Sequence, residues 1–417
     1  MPDSDQALLL TATCARGIEE ILVGELQALG MGGIEPGRGA VTFQGSWLDC
    51  YRANLWLRTA NRVLVELARW PAPDGDALGA GAFALVSGVR RRPGDTRARV
   101  APAPGIDIAA LFHPDHSLVV HASASASRLR DVRWIAVKTK DGIVDAQRAL
   151  HGRRSDVDKD NPHLALRVRV HRDQATLLLD TSGQSLDRRG YRERSVEAPL
   201  REHLAAACIL AAEWDGVGPV VDPMCGSGTL LVEAGWLALG RSPGFLRDTW
   251  AFQNLPWFDK WAFQALRADR ARVESAVDPE TDSVEASEDE APDSGPRRRT
   301  VRLIGLDRNE AAVEAARANL KKAFLRARIQ HGYAGEFSPP SGPGLFVLNP
   351  PHGERLVEQH RQWERIGELL KQRYKGWRAV LLAGGDDRGR GIHLRPTREF
   401  QLWNGPLEAS ILVYDLY

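Results

Sequence analysis

Cysteine is scarce in this chain, and its four residues, Cys14, Cys50, Cys208 and Cys225, form neither CxxC pairs nor metal-type Cys/His spacings. Because no HExxH motif occurs either, the sequence predicts reduced thiols, no disulfide and no bound metal. The chain also lacks a run of about 18 apolar residues, and its start lacks the basic and apolar segments of a secretory signal. We therefore expect a cytoplasmic protein that does not enter a membrane.

The composition is that of a folded globular protein, with 43% hydrophobic and 26% charged residues. A chain of 417 residues is too long for one hydrophobic core, so more than one domain is expected. The net charge of +1 conceals an uneven distribution, because residues 278–293 hold eight acids and no base. Residues 128–194 hold 16 basic against 10 acidic residues, which fits either a solvated charged surface or one that faces RNA.

The order of strand and helix patterns divides the chain into three parts. Residues 1–64 read as a small α+β unit that begins with the strand pattern LLLTAT, and residues 65–184 add strand patterns around the amphipathic segment RWIAVKTKDGIVDAQRAL. Residues 185–417 alternate helix and strand, which predicts a mostly parallel sheet covered by helices and completed by an antiparallel pair around NGP. Within this part, the acidic, Ser- and Pro-rich segment 276–297 reads as a disordered insertion.

The strongest local signal is DPMCGSGT, residues 222–229, where a buried strand pattern meets a helix pattern. Gly226 and Gly228 would let the backbone approach a ligand, and the following helix would offer free N–H groups to a carboxylate. A turn of this kind can also be a simple tight connection. The absence of GxxxxGK[ST] excludes a P-loop, and the missing third glycine and acid disfavour a dinucleotide site.

A second strand pattern, LIGLD, ends in an acid at Asp307. A carboxylate at the end of a neighbouring strand is well placed to accept hydrogen bonds from ribose hydroxyls. Taken alone, Asp307 could equally belong only to the start of the next helix, which Asn309 would cap.

The third motif is NPPH, residues 349–352, after the apolar strand pattern GLFVL. Two successive prolines stiffen the turn and leave carbonyl groups without competing N–H groups. The Asn349 side chain and the Pro350 carbonyl could accept the two hydrogens of an exocyclic amine, and His352 could stack on the base. This arrangement indicates chemistry on the amino group of a nucleic-acid base.

In this order, the three motifs resemble those of class I S-adenosylmethionine-dependent methyltransferases that act on base amino groups. The N-terminal segments ATCARGIEEILVGEL, YRANLWLRTANRV, KDGIVDAQR and LLLDTSGQSLDRRGYR resemble the ferredoxin-like and THUMP regions of bacterial rRNA guanine-N2 methyltransferases. The similarity covers nearly the whole chain and is greatest to the family acting on 23S rRNA. It implies an α/β fold, in which a Rossmann-like methyltransferase domain with an antiparallel terminal strand follows α+β ferredoxin-like and THUMP RNA-binding regions.

The resemblance also implies roles for individual residues. Asp307 would hold the ribose of S-adenosylmethionine, Asn349, Pro350 and Pro351 would form the target-amine site beside the cofactor, and His352 would lie by the base. The sequence departs from the family pattern in three ways. His352 stands in place of an aromatic residue, and YAGE at 333–336 stands in place of an adenine-contacting Asp. No second methyltransferase unit occurs before Tyr417, so one methylation activity is expected. The residues implied around the methionine part of the cofactor are Asp222, Cys225, Gly226, Ser227, Gly228 and Thr229.

The expected reaction is direct methyl transfer to the N2 amine of guanine in large-subunit rRNA or its precursor. Cys225 has no paired base, so it is interpreted as a packing residue rather than a nucleophile. An adenine-N6 or a tRNA guanine-N2 methyltransferase would use the same amine-orienting logic. A noncatalytic RNA-binding ribosome-assembly factor that kept the fold is the alternative from another class. The sequence does not indicate the oligomeric state.

Overall fold

The computed structural model describes residues 7–88, 100–197, 199–274, 301–350, 356–384, 389–405 and 407–417. The N-terminal half forms one seven-stranded sheet in the order β2-β3-β1-β4-β7-β6-β5. Its strands are β1 (Leu8–Thr13), β2 (Gly32–Pro36), β3 (Ala40–Gly45), β4 (Arg62–Pro71), β5 (Leu118–Ser125), β6 (Leu164–His171) and β7 (Gln174–Asp180). Its helices are α1 (Glu19–Ala28), α2 (Trp47–Trp56), α3 (Gly75–Ser87), α4 (Ile108–Leu111) and α5 (Val132–His151).

The C-terminal half forms a second seven-stranded sheet in the order β10-β9-β8-β11-β12-β14-β13, in which the first five strands are parallel. β14 joins antiparallel to both β12 and β13, which confirms the mostly parallel α/β fold with an antiparallel end. The strands are β8 (Val220–Asp222), β9 (Leu303–Asp307), β10 (Ala327–His331), β11 (Leu345–Leu348), β12 (Arg378–Gly384), β13 (Arg398–Asn404) and β14 (Leu407–Asp415). The helices are α6 (Glu202–Ala211), α7 (Thr229–Ala238), α8 (Lys260–Glu274), α9 (Glu310–Lys322) and α10 (Leu356–Arg373).

Strand β4 links the first two parts of the chain, because it pairs with β1 on one side and with β7 on the other. The hydrogen-bonded ladder is therefore continuous across the boundary predicted between residues 64 and 65, and the proposed division of the N-terminal half remains a prediction. The acidic segment 276–297 lies outside the described residues. Within the described ranges, no helix is long and apolar enough to cross a membrane.

Helix α3 packs closely on α5 and on the sheet through its glycines. A Cβ atom on Gly75 would lie 1.8 Å from the ring of Trp134, and one on Gly81 would lie 2.1 Å from Trp70. On α5, a Cβ atom on Gly142 would lie 2.3 Å from the Gly79 carbonyl oxygen. These glycines lower helix propensity but let the two helices approach at backbone distance.

The two halves meet across a buried set of charged side chains. Glu233 on α7 accepts a hydrogen bond from Arg189 Nε at 3.1 Å and lies 3.7 Å from Arg58 Nη1. The Arg189 guanidinium also donates to the Arg58 carbonyl oxygen at 2.5 Å. Since burial of a charge requires compensating partners, these contacts fix the N-terminal half against the second sheet.

The halves also meet at β13, where the Trp403 amide donates to the Arg16 carbonyl oxygen at 2.9 Å. The Arg16 guanidinium lies 4.6 Å from the centre of the Trp403 ring. A Cβ atom on Gly17 would lie 1.8 Å from the Gln401 carbonyl oxygen, so only glycine permits this approach. The edge of the second sheet is thereby attached to the first.

Candidate active site

The predicted site residues that are described lie at one edge of the second sheet. β8, β9 and β11 are parallel, with Asp222 paired to Gly305 and Val221 to Phe346. Their carboxyl ends therefore share an edge, and Asp222, Asp307 and Asn349 all lie there. The carboxyl edge of such a sheet is where ligands bind in open α/β folds.

Two glycines in left-handed conformations shape the turn between β8 and α7. Gly226 has φ +52° and Gly228 has φ +83°, values that favour glycine. A Cβ atom on Gly228 would lie 3.3 Å from Ala316 on α9, so this residue faces packed protein. A Cβ atom on Gly226 would meet nothing closer than 4.0 Å, so the backbone there faces open space that a ligand could fill.

Asp307 holds backbone amides with both carboxylate oxygens. Oδ2 accepts a hydrogen bond from the Gly226 amide at 2.9 Å, and Oδ1 accepts one from the Asn309 amide at 2.9 Å. Asn309 in turn caps α9 by accepting from the Ala311 amide at 3.0 Å. Asp307 thus takes part in the start of α9, which was one of the two roles considered from the sequence, and it also fixes the glycine turn. Its side chain is half-buried and keeps lone pairs for a ligand.

The two acids of the edge differ in their surroundings, because Asp222 is only 1% exposed. Burial raises the pKa of Asp222 to about 8 against the lowering effect of the Met224 amide, and the charge of Asp307 raises it further. Burial, with the nearby acids, also raises the pKa of the Cys225 thiol well above its ordinary value. A buried protonated thiol is a poor nucleophile, which supports the interpretation of Cys225 as a packing residue.

Arg192 is a residue of this site that the motifs did not reveal. It donates to the Ser227 hydroxyl at 2.8 Å and to the Thr229 hydroxyl at 3.1 Å. The same guanidinium donates to Glu202 Oε1 at 2.9 Å and to the Leu200 carbonyl oxygen at 3.0 Å. The hydroxyl groups of the turn are thus engaged by protein, and the amides of Cys225, Gly226 and Gly228 already donate within the protein, so the donors that suit a ligand are the first N–H groups of α7.

Asn319 on α9 is a second such residue and is fully buried. Its amide nitrogen donates to the carbonyl oxygens of Ser227 and Arg194 at 3.0 and 2.9 Å. Its oxygen accepts from the Glu193 and Arg194 amides at 2.8 and 3.1 Å. One side chain therefore satisfies four backbone groups and ties segment 192–194 to the glycine turn.

Of the NPPH motif, the structure describes the first two residues. Asn349 follows β11 directly and is half-buried, and Pro350 is buried. Pro351 and His352 lie outside the described residues, so the stacking role of His352 remains a prediction. The next described element, α10, reaches the glycine turn through Gln362, whose Nε2 lies 4.0 Å from the Met224 sulfur.

The sheet order, the glycine turn and the strand-end acids define the class I methyltransferase fold, preceded here by a separate α+β region. Comparison with family models agrees along the chain. Residues 189–411 match the RMKL-like methyltransferase domain, residues 9–64 the RlmL ferredoxin-like domain, and residues 104–180 the THUMP domain. The chain therefore belongs to the family of RMKL-like methyltransferases with ferredoxin-like and THUMP regions.

Curated relatives include two kinds of protein. The Ribosomal RNA large subunit methyltransferase K/L of Syntrophotalea carbinolica is 35% identical over 99% of this chain and 54% of its own length. The K/L enzyme of Methylococcus capsulatus is 34% identical over 97% and 51%. The chain thus spans about half the length of these relatives. A Synechocystis protein named as an RNA methyltransferase is 32% identical over 100% of both chains.

Solved structures show the same architecture. The crystal structure of SMU.472, described as a methyltransferase complexed with SAH, superposes with a TM-score of 0.78 at 27% identity and covers 99% of both chains. A methylase from Clostridium difficile gives a TM-score of 0.79 at 24% identity, which shows likeness of fold alone.

Proposed function

We propose that this protein uses S-adenosylmethionine to methylate the exocyclic N2 amine of guanine in large-subunit rRNA. The observation that carries the proposal is the meeting of the glycine turn, Asp307 and Asn349 at one sheet edge. The names of the K/L relatives support large-subunit rRNA as the substrate. The choice of the guanine N2 amine as methyl acceptor is supported by the position of Asn349 and Pro350 after β11 and by the family resemblance.

The cofactor fits the residues that are present. Open space at Gly226 admits a ligand against the backbone, and the first N–H groups of α7 suit its carboxylate. Asp307 lies where ribose hydroxyls would donate to its remaining lone pairs. When bound, S-adenosylmethionine supplies an activated methyl group.

The amine would be oriented by Asn349. Its side-chain oxygen and the Pro350 carbonyl are the acceptors that follow β11, and each would take one hydrogen of the amine. This leaves the nitrogen lone pair directed towards the methyl group, so the protein contributes alignment rather than a base or a covalent intermediate.

RNA would contact the region of the N-terminal half around residues 128–194, which hold 16 basic against 10 acidic residues. On α5, Trp134 is 41% exposed, and the Lys138 ammonium lies 5.6 Å from its ring centre. Exposed aromatic and basic side chains suit RNA through stacking and phosphate contacts.

The experiment is nucleoside analysis of rRNA methylated by the purified chain, with mapping of the methyl group that a deletion strain lacks. N2-methylguanine in large-subunit rRNA is the expected product. N6-methyladenine, or methylation of tRNA in preference to rRNA, would replace this proposal by one of its alternatives. Cofactor binding without any turnover on rRNA or its precursor particles would favour the noncatalytic assembly factor.

A further inference from the structure

Three side chains with metal-binding atoms meet on the surface of α10, outside the candidate active site. His360 and Glu364 lie one helical turn apart, and His393 follows the 3-10 helix Arg390–Ile392. The Nε2 atoms of His360 and His393 lie 3.6 and 3.9 Å from the same oxygen, Glu364 Oε1. The ligand atoms of all three lie within 4.8 Å of one another.

We propose that His360, Glu364 and His393 bind one late first-row divalent cation of the Zn²⁺ type. Two imidazoles and one carboxylate suit such a cation, whereas Mg²⁺ and Ca²⁺ prefer oxygen ligands throughout. Metal–ligand distances of about 2.0 to 2.2 Å place neighbouring tetrahedral ligand atoms roughly 3.3 Å apart, so side-chain rotations of small size close the set. The three side chains are 46% to 62% exposed, which leaves the remaining coordination position to water.

Close packing holds the two ligand-bearing elements together without a metal. A Cβ atom on Gly391 would lie 2.7 Å from the His360 carbonyl oxygen, and one on Gly367 would lie 2.1 Å from the Ile392 carbonyl oxygen. The glycines therefore permit backbone contact between α10 and the 3-10 helix. Because the ligands come from elements already fixed against each other, the ordering cost of metal binding is reduced.

His393 has a left-handed backbone, and its ring lies beside the side chains of α10. This residue has φ +52° and ψ 35°, a left-handed conformation that is uncommon outside glycine. Its ring centre lies 6.2 Å from that of His360, with the planes at 87°. Two imidazoles nearly perpendicular to each other can both present a lone pair to a shared point, as tetrahedral coordination requires.

A bound cation would cross-link α10 to the turn that carries His393. Helix α10 also carries Gln362, which contacts Met224 of the glycine turn, so the cross-link lies beside the candidate active site. Because the unfolded chain does not assemble the three ligands, binding would stabilise the folded protein in proportion to free metal.

The test is isothermal calorimetry of the untagged, metal-stripped full-length protein with ZnCl₂ and with MgCl₂. We expect binding of Zn²⁺ and none of Mg²⁺, and a loss of Zn²⁺ affinity of at least about tenfold in His393→Ala and in Glu364→Gln. The variant His171→Ala, which removes a histidine at the end of β6, is the control and should keep the affinity. Co²⁺ in place of Zn²⁺ should give visible absorption that both ligand variants lose.

Because other histidines could also bind Zn²⁺, the number of Zn²⁺ ions bound per chain is a weaker test than the Zn²⁺ affinities of the variants. His113, His116, His151 and His163 lie near one another on the N-terminal half and could bind Zn²⁺ weakly. The proposal therefore depends on the difference between His393→Ala and the wild-type protein. Equal Zn²⁺ affinity in these two proteins, with equal melting temperatures showing that both are folded, would overturn it. Glu364→Gln keeps the side-chain shape and guards against a folding defect.

Discussion

Asp307 holds the backbone of Gly226, through a hydrogen bond of 2.9 Å from the Gly226 amide to Oδ2. The carboxylate that ends β9 thus fixes the turn that follows the neighbouring strand β8. A substitution of Asp307 would therefore weaken binding of a cofactor on this turn in two ways. It would remove the acceptor for the ribose hydroxyls, and it would release the turn from its position.

Replacement of Asp307 by Ala should weaken S-adenosylmethionine binding while the protein stays folded. Loss of a charged hydrogen-bond partner costs about 1.5 to 3 kcal/mol, and loss of the amide contact to Gly226 adds to this. Calorimetry of cofactor binding measures the effect. Glu310→Ala, an exposed change on the same segment, is the control, and an unchanged affinity in folded Asp307→Ala would remove Asp307 from the cofactor site.

Replacement of Arg192 by Met keeps an unbranched apolar stem but removes the donors to Ser227 and Thr229, together with the ion pair to Glu202. We expect the KM for S-adenosylmethionine to rise by roughly tenfold or more, with a smaller change in kcat, because Arg192 positions the turn and does not touch the reacting atoms. Steady-state kinetics separate the two constants. Arg194→Met removes an exposed ion pair with Glu314 and should change neither. A fall in kcat alone would contradict a positioning role.

Replacement of Asn349 by Ala should slow methyl transfer by about 100-fold or more, with RNA and cofactor binding retained, because the acceptor that orients the amine is removed. Filter binding, calorimetry and single-turnover methylation on the same preparation measure the three properties. Asn161→Ala, on the exposed surface of the N-terminal half, is the control. Full activity of Asn349→Ala would exclude this residue from the amine site.

The stability of the ligand-free protein should fall as pH rises from about 4 to about 8. The Asp222 carboxyl has its ordinary pKa, 3.8, in the unfolded chain and a pKa of about 8 in the folded protein. In this window the folded state holds more protons, so the free energy of unfolding decreases with pH and levels off above both pKa values. Urea titrations across the range measure the slope. Asp222→Asn should reduce the slope, while Glu25 and Glu202, whose pKa values burial also raises, keep contributing to it. An equal slope in both proteins would show that Asp222 is not its source.

Replacement of Glu233 by Gln should destabilise the protein by about 3 to 5 kcal/mol, because Arg58 and Arg189 would stay buried without the acid that pairs with both of them. Chemical unfolding measures the change. Arg52→Met removes a partly exposed pair with Asp49 and should cost about 1 kcal/mol or less. A Glu233→Gln cost no larger than that of Arg52→Met would show that the buried pair is dispensable. A cut near residue 185 would separate Arg58 from Glu233 but keep Arg189 with it, so whole-chain variants are the cleaner test.

Regular patterns made much of the fold predictable. The runs LALRVRVHRDQ and ATLLLDTSG meet at a charged turn, which predicts the antiparallel pair β6 and β7, and the two runs around NGP predict the pair β13 and β14. Helix α3 was not expected, because Gly75, Gly79 and Gly81 lower helix propensity. The physical reason for those glycines is contact with Trp70, Trp134 and α5, which a local pattern does not contain.

The residues of the candidate site were likewise predictable only where their signal is local in the sequence. Asp222, Asp307 and Asn349 could be found because each ends a strand pattern. Arg192 could not, because its partners Ser227 and Thr229 are more than 30 residues away in sequence. His360 and Glu364 carry a visible i,i+4 signal, but only the fold brings His393 beside them.

Because the strand ladder through β4 is unbroken, the molecule can measure a length along a bound RNA. With β13 attached to the first sheet through Arg16 and Trp403, the sheet that carries α5 and the sheet that carries Asn349 are joined to each other. For an RNA that rests on α5, the base delivered to Asn349 is then selected by its distance from the resting point. Target choice would thus be a matter of length in the RNA, and lengthening a stem between the two contact points would shift methylation to another nucleotide rather than abolish it.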